Sequence, residues 1–116
     1  MSKVFIFGCG YLGMRLADAL IESGHEVGVL TKNEVFADHL RAKGIREVIV
    51  ARLESDSWHD QVSGDYRKIV NCVSSAGNGL SGYESSYYEG QASIIQWVKS
   101  KSMFVESYIY TSSTSV

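Results

Sequence analysis

The residues best placed to do chemistry form a glycine run near the amino terminus, Gly8-Cys9-Gly10-Tyr11-Leu12-Gly13. It follows four apolar residues, Val4-Phe5-Ile6-Phe7, and leads into Leu12, Leu16, Leu20 and Ile21 at helical spacing. A G-x-G-x-x-G that leaves a buried strand and opens a helix is the fingerprint of a pyrophosphate cradle. Gly8 permits the tight turn, Gly10 lets the backbone approach the pyrophosphate, and Gly13 allows the helix to pack closely on the sheet. Free N–H groups at the helix start then meet the anion, with the helix dipole favouring negative charge. Gly8, Gly10, Tyr11, Leu12 and Gly13 are the candidate cradle. The plainer alternative is a tight strand-to-helix turn that binds nothing.

A second set of residues bears on which dinucleotide fits. Sites for NAD usually place Asp or Glu at the end of the second strand, about 20 residues beyond the glycines, to bind the ribose 2′-hydroxyl. Here that place reads Leu30-Thr31-Lys32-Asn33, and the first carboxylate is Glu34. Lys32 suits a 2′-phosphate, with Thr31 and Asn33 as further hydrogen-bonding groups. NADP is therefore favoured over NAD, against the reading of Lys32 as an ordinary solvated lysine.

These residues need a scaffold, and the periodicity supplies one. Strands are expected over 4–7, 27–30, 45–50, 68–73 and 108–111. Helices are expected after the glycine run up to Gly24, from an Asn33 N-cap to Gly44, briefly around Trp58 and Val62 with Ser55 or Ser57 as cap, and over 87–101. In the last of these, Ile94, Ile95 and Val98 are expected to face inward. Alternating strands and helices with right-handed crossovers give one α/β domain, a Rossmann-type doubly wound parallel sheet of strand order 3-2-1-4-5. The serine- and glycine-rich stretch 74–86 leaves the carboxyl end of the fourth strand, where open α/β sheets bind ligands.

Composition sets outer bounds. The chain has 116 residues, 45% hydrophobic and 21% charged, with a net charge of -2, enough for one domain and with no basic excess for nucleic acid. No apolar run approaches the roughly 20 residues that cross a bilayer. Two cysteines, Cys9 and Cys72, fit a cytoplasmic protein and read as small apolar fillers. His25, His39 and His59 share no metal-ligand spacing and read as solvated; Asp56 and Asp60 read as one exposed helix face. A small-molecule substrate is the expected partner, with no nucleic acid and no membrane, and a homodimer stays open.

The carboxyl-terminal residues Tyr110-Thr111-Ser112-Ser113-Thr114-Ser115-Val116 carry a family resemblance. On a fifth strand after a long helix, they resemble the hydroxyl-rich segment of the extended short-chain dehydrogenase/reductases, the NAD(P)-dependent epimerase/dehydratase proteins. Val70-Asn71-Cys72-Val73-Ser74-Ser75 is similar to that family's fourth-strand end, and Tyr87-Tyr88-Glu89-Gly90 resembles the start of its fourth helix. The resemblance implies hydride transfer at a carbonyl or alcohol carbon, nucleotide-sugar-like or other. It implies that Val73, Ser74 and Ser75 pass along the nicotinamide half, and that Ser113 orients the substrate oxygen.

Two features depart from the family. The glycine spacing is that of an atypical branch, and Arg52 stands after the third strand where an acidic residue usually meets the adenine. A second cation there again suits NADP. The family's general acid/base Tyr and its Lys partner do not occur as Tyr-x-x-x-Lys anywhere in the chain. The 116 residues are therefore expected to be the amino-terminal, cofactor-binding portion of a longer oxidoreductase, truncated after the fifth strand and inactive alone. Two alternatives stay open: a 6-phosphogluconate- or ketopantoate-type reductase, and a non-enzymatic nucleotide-sensing domain of the kind that gates potassium transport.

Overall fold

The first strand decides the architecture, because its side chains alternate between two faces that are both buried. In β1 (Lys3–Phe7), Phe5 and Phe7 enter one apolar cluster while Val4 and Ile6 enter another. A strand apolar on both sides belongs in the middle of a parallel sheet with helices on each face. The computed structural model describes residues 3–8, 11–53, 55–63, 65–72, 89–101 and 105–110. After β1 come α1 (Tyr11–Glu22), β2 (Glu26–Thr31), α2 (Glu34–Ala42), β3 (Glu47–Val50), β4 (Lys68–Asn71), α3 (Gly90–Ser100) and β5 (Ser107–Tyr110). The strands form one parallel sheet in the order β3-β2-β1-β4-β5, as the sequence predicts. Register brings the strand ends level: Phe7 pairs with Leu30 and with Asn71, Thr31 with Val50, and Asn71 with Tyr110.

The two faces are built differently. On one, Ala17 of α1 and Leu40 of α2 close over Val4, Ile6, Val27, Val29 and Val70. Asn33 caps α2 as expected, its Oδ1 accepting from the N–H of Val35 at 2.9 Å and of Phe36 at 3.2 Å. On the other face the core is aromatic. The rings of Phe5, Phe7, Trp58, Tyr66 and Trp97 meet with centroids 4.7–5.7 Å apart in tilted and edge-on pairs. Gly28 makes room for it, since a Cβ there would lie 2.8 Å from both the Phe5 ring and Tyr66 Cζ. Tyr66 Oη donates to Glu47 Oε1 at 2.6 Å, and Glu47 Oε2 accepts from the N–H and hydroxyl of Ser63. One carboxylate thereby ties the chain between β3 and β4 to the amino edge of the sheet.

Two expectations require correction. The brief helix around Trp58 is a series of turns across residues 55–61. Local side-chain bonds compete with helix there: Ser57 N–H donates to Ser55 Oγ at 3.1 Å, and Gln61 Nε2 donates to the Ser57 carbonyl at 3.2 Å. The spacing of Trp58 and Val62 reflects a shared core face and not a helical repeat. In α3, Ile94 is buried and Val98 packs against the core as expected, with Gly90, Ser93 and Trp97 also facing inward, but Ile95 is 51% exposed. Gly90 fits because a Cβ there would lie 2.9 Å from Leu53 Cδ2.

Candidate functional site at the carboxyl edge of the sheet

Parallel strands place all their carboxyl ends on one edge, and of the sequence-predicted groups the described Gly8, Gly13, Thr31, Lys32 and Arg52 follow or end strands there. Beyond β1, Gly8 adopts φ 78°, a left-handed conformation that suits glycine. Its N–H donates to the Leu30 carbonyl at 2.8 Å, which fixes the turn against the end of β2. On the opposite side Cys72 N–H donates to the Phe7 carbonyl at 2.7 Å, so β4 is held to the same point. This is the switch point of the sheet, where β1 lies between crossovers running in opposite directions. The chain then enters α1, whose first turn contains the buried Gly13 and no acidic side chain. A helix start without a carboxylate leaves its positive end available to an external anion.

At the end of β2 the structure separates the three candidate groups. Thr31 is buried, and its Oγ1 accepts from Asn33 N–H at 3.2 Å. The Asn33 side chain is committed to capping α2. Lys32, between them, is exposed. The cation at this position is thus displayed by neighbours that turn the backbone. Arg52 is also exposed, just past β3, next to the buried Leu53 whose carbonyl accepts from Trp58 Nε1 at 3.0 Å. Gly10, Val73, Ser74, Ser75 and Ser113 lie outside the described residues, as do Cys9 and the side chains of Tyr11 and Leu12.

His59 differs from expectation. It is half-buried, packs edge-on against Trp58 with ring centroids 4.4 Å apart, and shares a 2.9 Å hydrogen bond between Nε2 and Ser93 Oγ. Ser93 Oγ donates its one proton to the Ser55 carbonyl at 2.8 Å, so His59 Nε2 is the donor in the other bond. That direction holds the serine as a tie between α3 and the 55–61 turns, and does not activate it as a nucleophile. Burial lowers the pKa of His59, opposed in part by the Asp56 carboxylate. The unfolded chain therefore takes up a proton first as pH falls below the ordinary histidine value of about 6.5, and the fold loses stability there. Urea melts between pH 7 and pH 5 should show this decline, and His59→Gln should flatten it.

Among the described residues no group of three or more His, Cys, Asp or Glu is arranged to hold a metal, and no helix is long and apolar enough to cross a membrane. Residues not singled out from sequence also reach this edge. Asn71 ends β4 fully buried, its Nδ2 donating to Tyr108 Oη at 3.3 Å, and Tyr108 Oη donates to Gln91 Oε1 at 3.3 Å. An amide in an otherwise apolar strand was the signal for Asn71; its partners lie too far along the chain to be paired by pattern.

Strand order, flanking helices and the glycine turn define a Rossmann-type doubly wound domain. No protein-family model and no curated protein matches the chain. Solved structures do. A candidate NAD-dependent epimerase/dehydratase from Bacillus halodurans superposes with a TM-score of 0.77 at 25% identity, over 98% of this chain and 52% of that one. The Bordetella bronchiseptica enzyme WbmH in complex with NAD+ gives 0.67 at 24% identity, over 89% and 36%. Yeast methylglyoxal/isovaleraldehyde reductase complexed with NADPH gives 0.71 at 18% identity, over 96% and 37%. The chain thus spans about half or less of the length of the structures it resembles. The description of the Bacillus halodurans protein agrees with the epimerase/dehydratase likeness seen in the sequence, and the other two share the fold.

Proposed function

We propose that residues 1–116 are the NAD(P)-binding Rossmann domain of an epimerase/dehydratase-type oxidoreductase that takes NADP in preference to NAD. The observation that carries this reading is the pairing of a left-handed Gly8 before a carboxylate-free helix start with an exposed Lys32 where an NAD site would present an acid. Gly8, Gly10, Tyr11, Leu12 and Gly13 hold the pyrophosphate. Lys32 pairs with the 2′-phosphate, Thr31 shapes the turn that presents it, and Arg52 adds a second cation on the adenosine side. Val73, Ser74 and Ser75 serve the nicotinamide half, and Ser113 orients the oxygen of a hydroxyl or carbonyl substrate of nucleotide-sugar-like or related kind. The bound cofactor supplies or accepts the hydride; the chain's own residues bind and orient. With no Tyr-x-x-x-Lys in its sequence, the 116-residue chain binds cofactor without turning it over.

Calorimetric titration tests the assignment. NADPH should bind more tightly than NADH, and Lys32→Ala should weaken NADPH about tenfold while leaving NADH unchanged, as expected for one charge-assisted contact. Tighter binding of NADH, or no loss in the variant, contradicts the preference.

A further inference from the structure

A dinucleotide laid across the switch point puts its adenosine half on the β2 side of the glycine turn and its other half over β4 and β5. Below that second half, on the face covered by α3, the structure holds a hydrogen-bonded chain with a defined direction. Asn71, the last residue of β4, pairs in register with Phe7 beside the glycine turn and is fully buried. Its amide nitrogen donates to Tyr108 Oη, and the Tyr108 proton goes on to Gln91 Oε1 in the first turn of α3, both at 3.3 Å. The hydroxyl thus satisfies a buried donor on one strand and fixes a helix start that the sequence separates from that strand by 18 residues. Tyr108 reaches both from the edge strand β5, itself partly exposed at 39%.

We propose that Tyr108 is a positioning residue for the nicotinamide half of the dinucleotide, acting through Asn71 and Gln91; this rests on the cofactor reading above. Without the hydroxyl, Asn71 and Gln91 lose the one atom to which both are bonded. The β4 end and the α3 start then lose their common reference, while the adenosine side, on β2 and β3, is untouched. The two halves of the ligand therefore report separately.

The experiment is calorimetry on the full 116-residue chain with NADPH and with its adenosine half alone, adenosine 2′,5′-bisphosphate. Tyr108→Phe should weaken NADPH about tenfold and change the bisphosphate by less than twofold. Gln91→Ala, at a half-buried helix position that leaves the core intact, should shift NADPH in the same direction by a smaller factor. An NADPH affinity within twofold of the parent in both variants overturns the proposal. So does an equal loss for both ligands, which would mark a general structural role. A parent chain that binds neither ligand overturns the cofactor reading and this inference with it; a parent that binds both, with unaffected variants, overturns the inference alone.

Discussion

Trp58→Ala should lower the stability of the chain by about 3–5 kcal/mol, the range for removing a buried tryptophan from a packed core. The side chain is fully buried and meets Phe7 at 5.1 Å and Trp97 at 5.2 Å between ring centroids. Its Nε1 also holds the Leu53 carbonyl at 3.0 Å, so truncation leaves both a cavity and an acceptor without its partner. A loss of that size is a large part of the 5–15 kcal/mol typical of a whole domain. Urea denaturation should show the midpoint falling with little change in slope. Trp58→Phe keeps most of the ring volume and forfeits the hydrogen bond, for a smaller cost of about 1–2 kcal/mol. A Trp58→Ala variant as stable as the parent would mean that the aromatic face is not the main source of cohesion. Because Leu53 adjoins Arg52, this contact also links the core to the proposed adenosine side.

Lys32→Asp should invert the cofactor preference. The carboxylate would accept from a ribose 2′-hydroxyl and repel a 2′-phosphate, so NADPH should weaken about a hundredfold while NADH tightens several-fold. Lys32 is exposed, and the change should leave stability within about 0.5 kcal/mol of the parent. That separates the two predictions: Trp58 acts through the fold, Lys32 through the ligand. Equal weakening of both nucleotides would place Lys32 away from the 2′-position.

Sequence patterns revealed what is local or periodic. The runs Val4–Phe7 and Val27–Leu30 read as strands because both faces are buried, and the Asn33 cap and Gly44 stop follow from side-chain chemistry within a few residues. Strand order followed from the handedness of crossovers. What stayed hidden depends on contacts between distant positions. Gly28 is needed because the Phe5 ring and Tyr66, 38 residues later, occupy the space a Cβ would take. His59 looked solvated because Ser93, 34 residues on, cannot be seen beside it. The turns at 55–61 imitated a helix because Trp58 and Val62 face the same core. At the candidate site, the glycine run and Lys32 stand out as candidates by spacing alone, whereas the Asn71–Tyr108–Gln91 chain needed three elements placed together.

The most direct measurement is a crystal structure of the chain with NADPH. The pyrophosphate should lie over the start of α1, against the Gly8–Gly13 turn, and the 2′-phosphate within about 3 Å of Lys32 Nζ, the distance of a charge-assisted hydrogen bond. A nucleotide bound away from the glycine turn, or a 2′-phosphate in open solvent with Lys32 turned elsewhere, would contradict this placement.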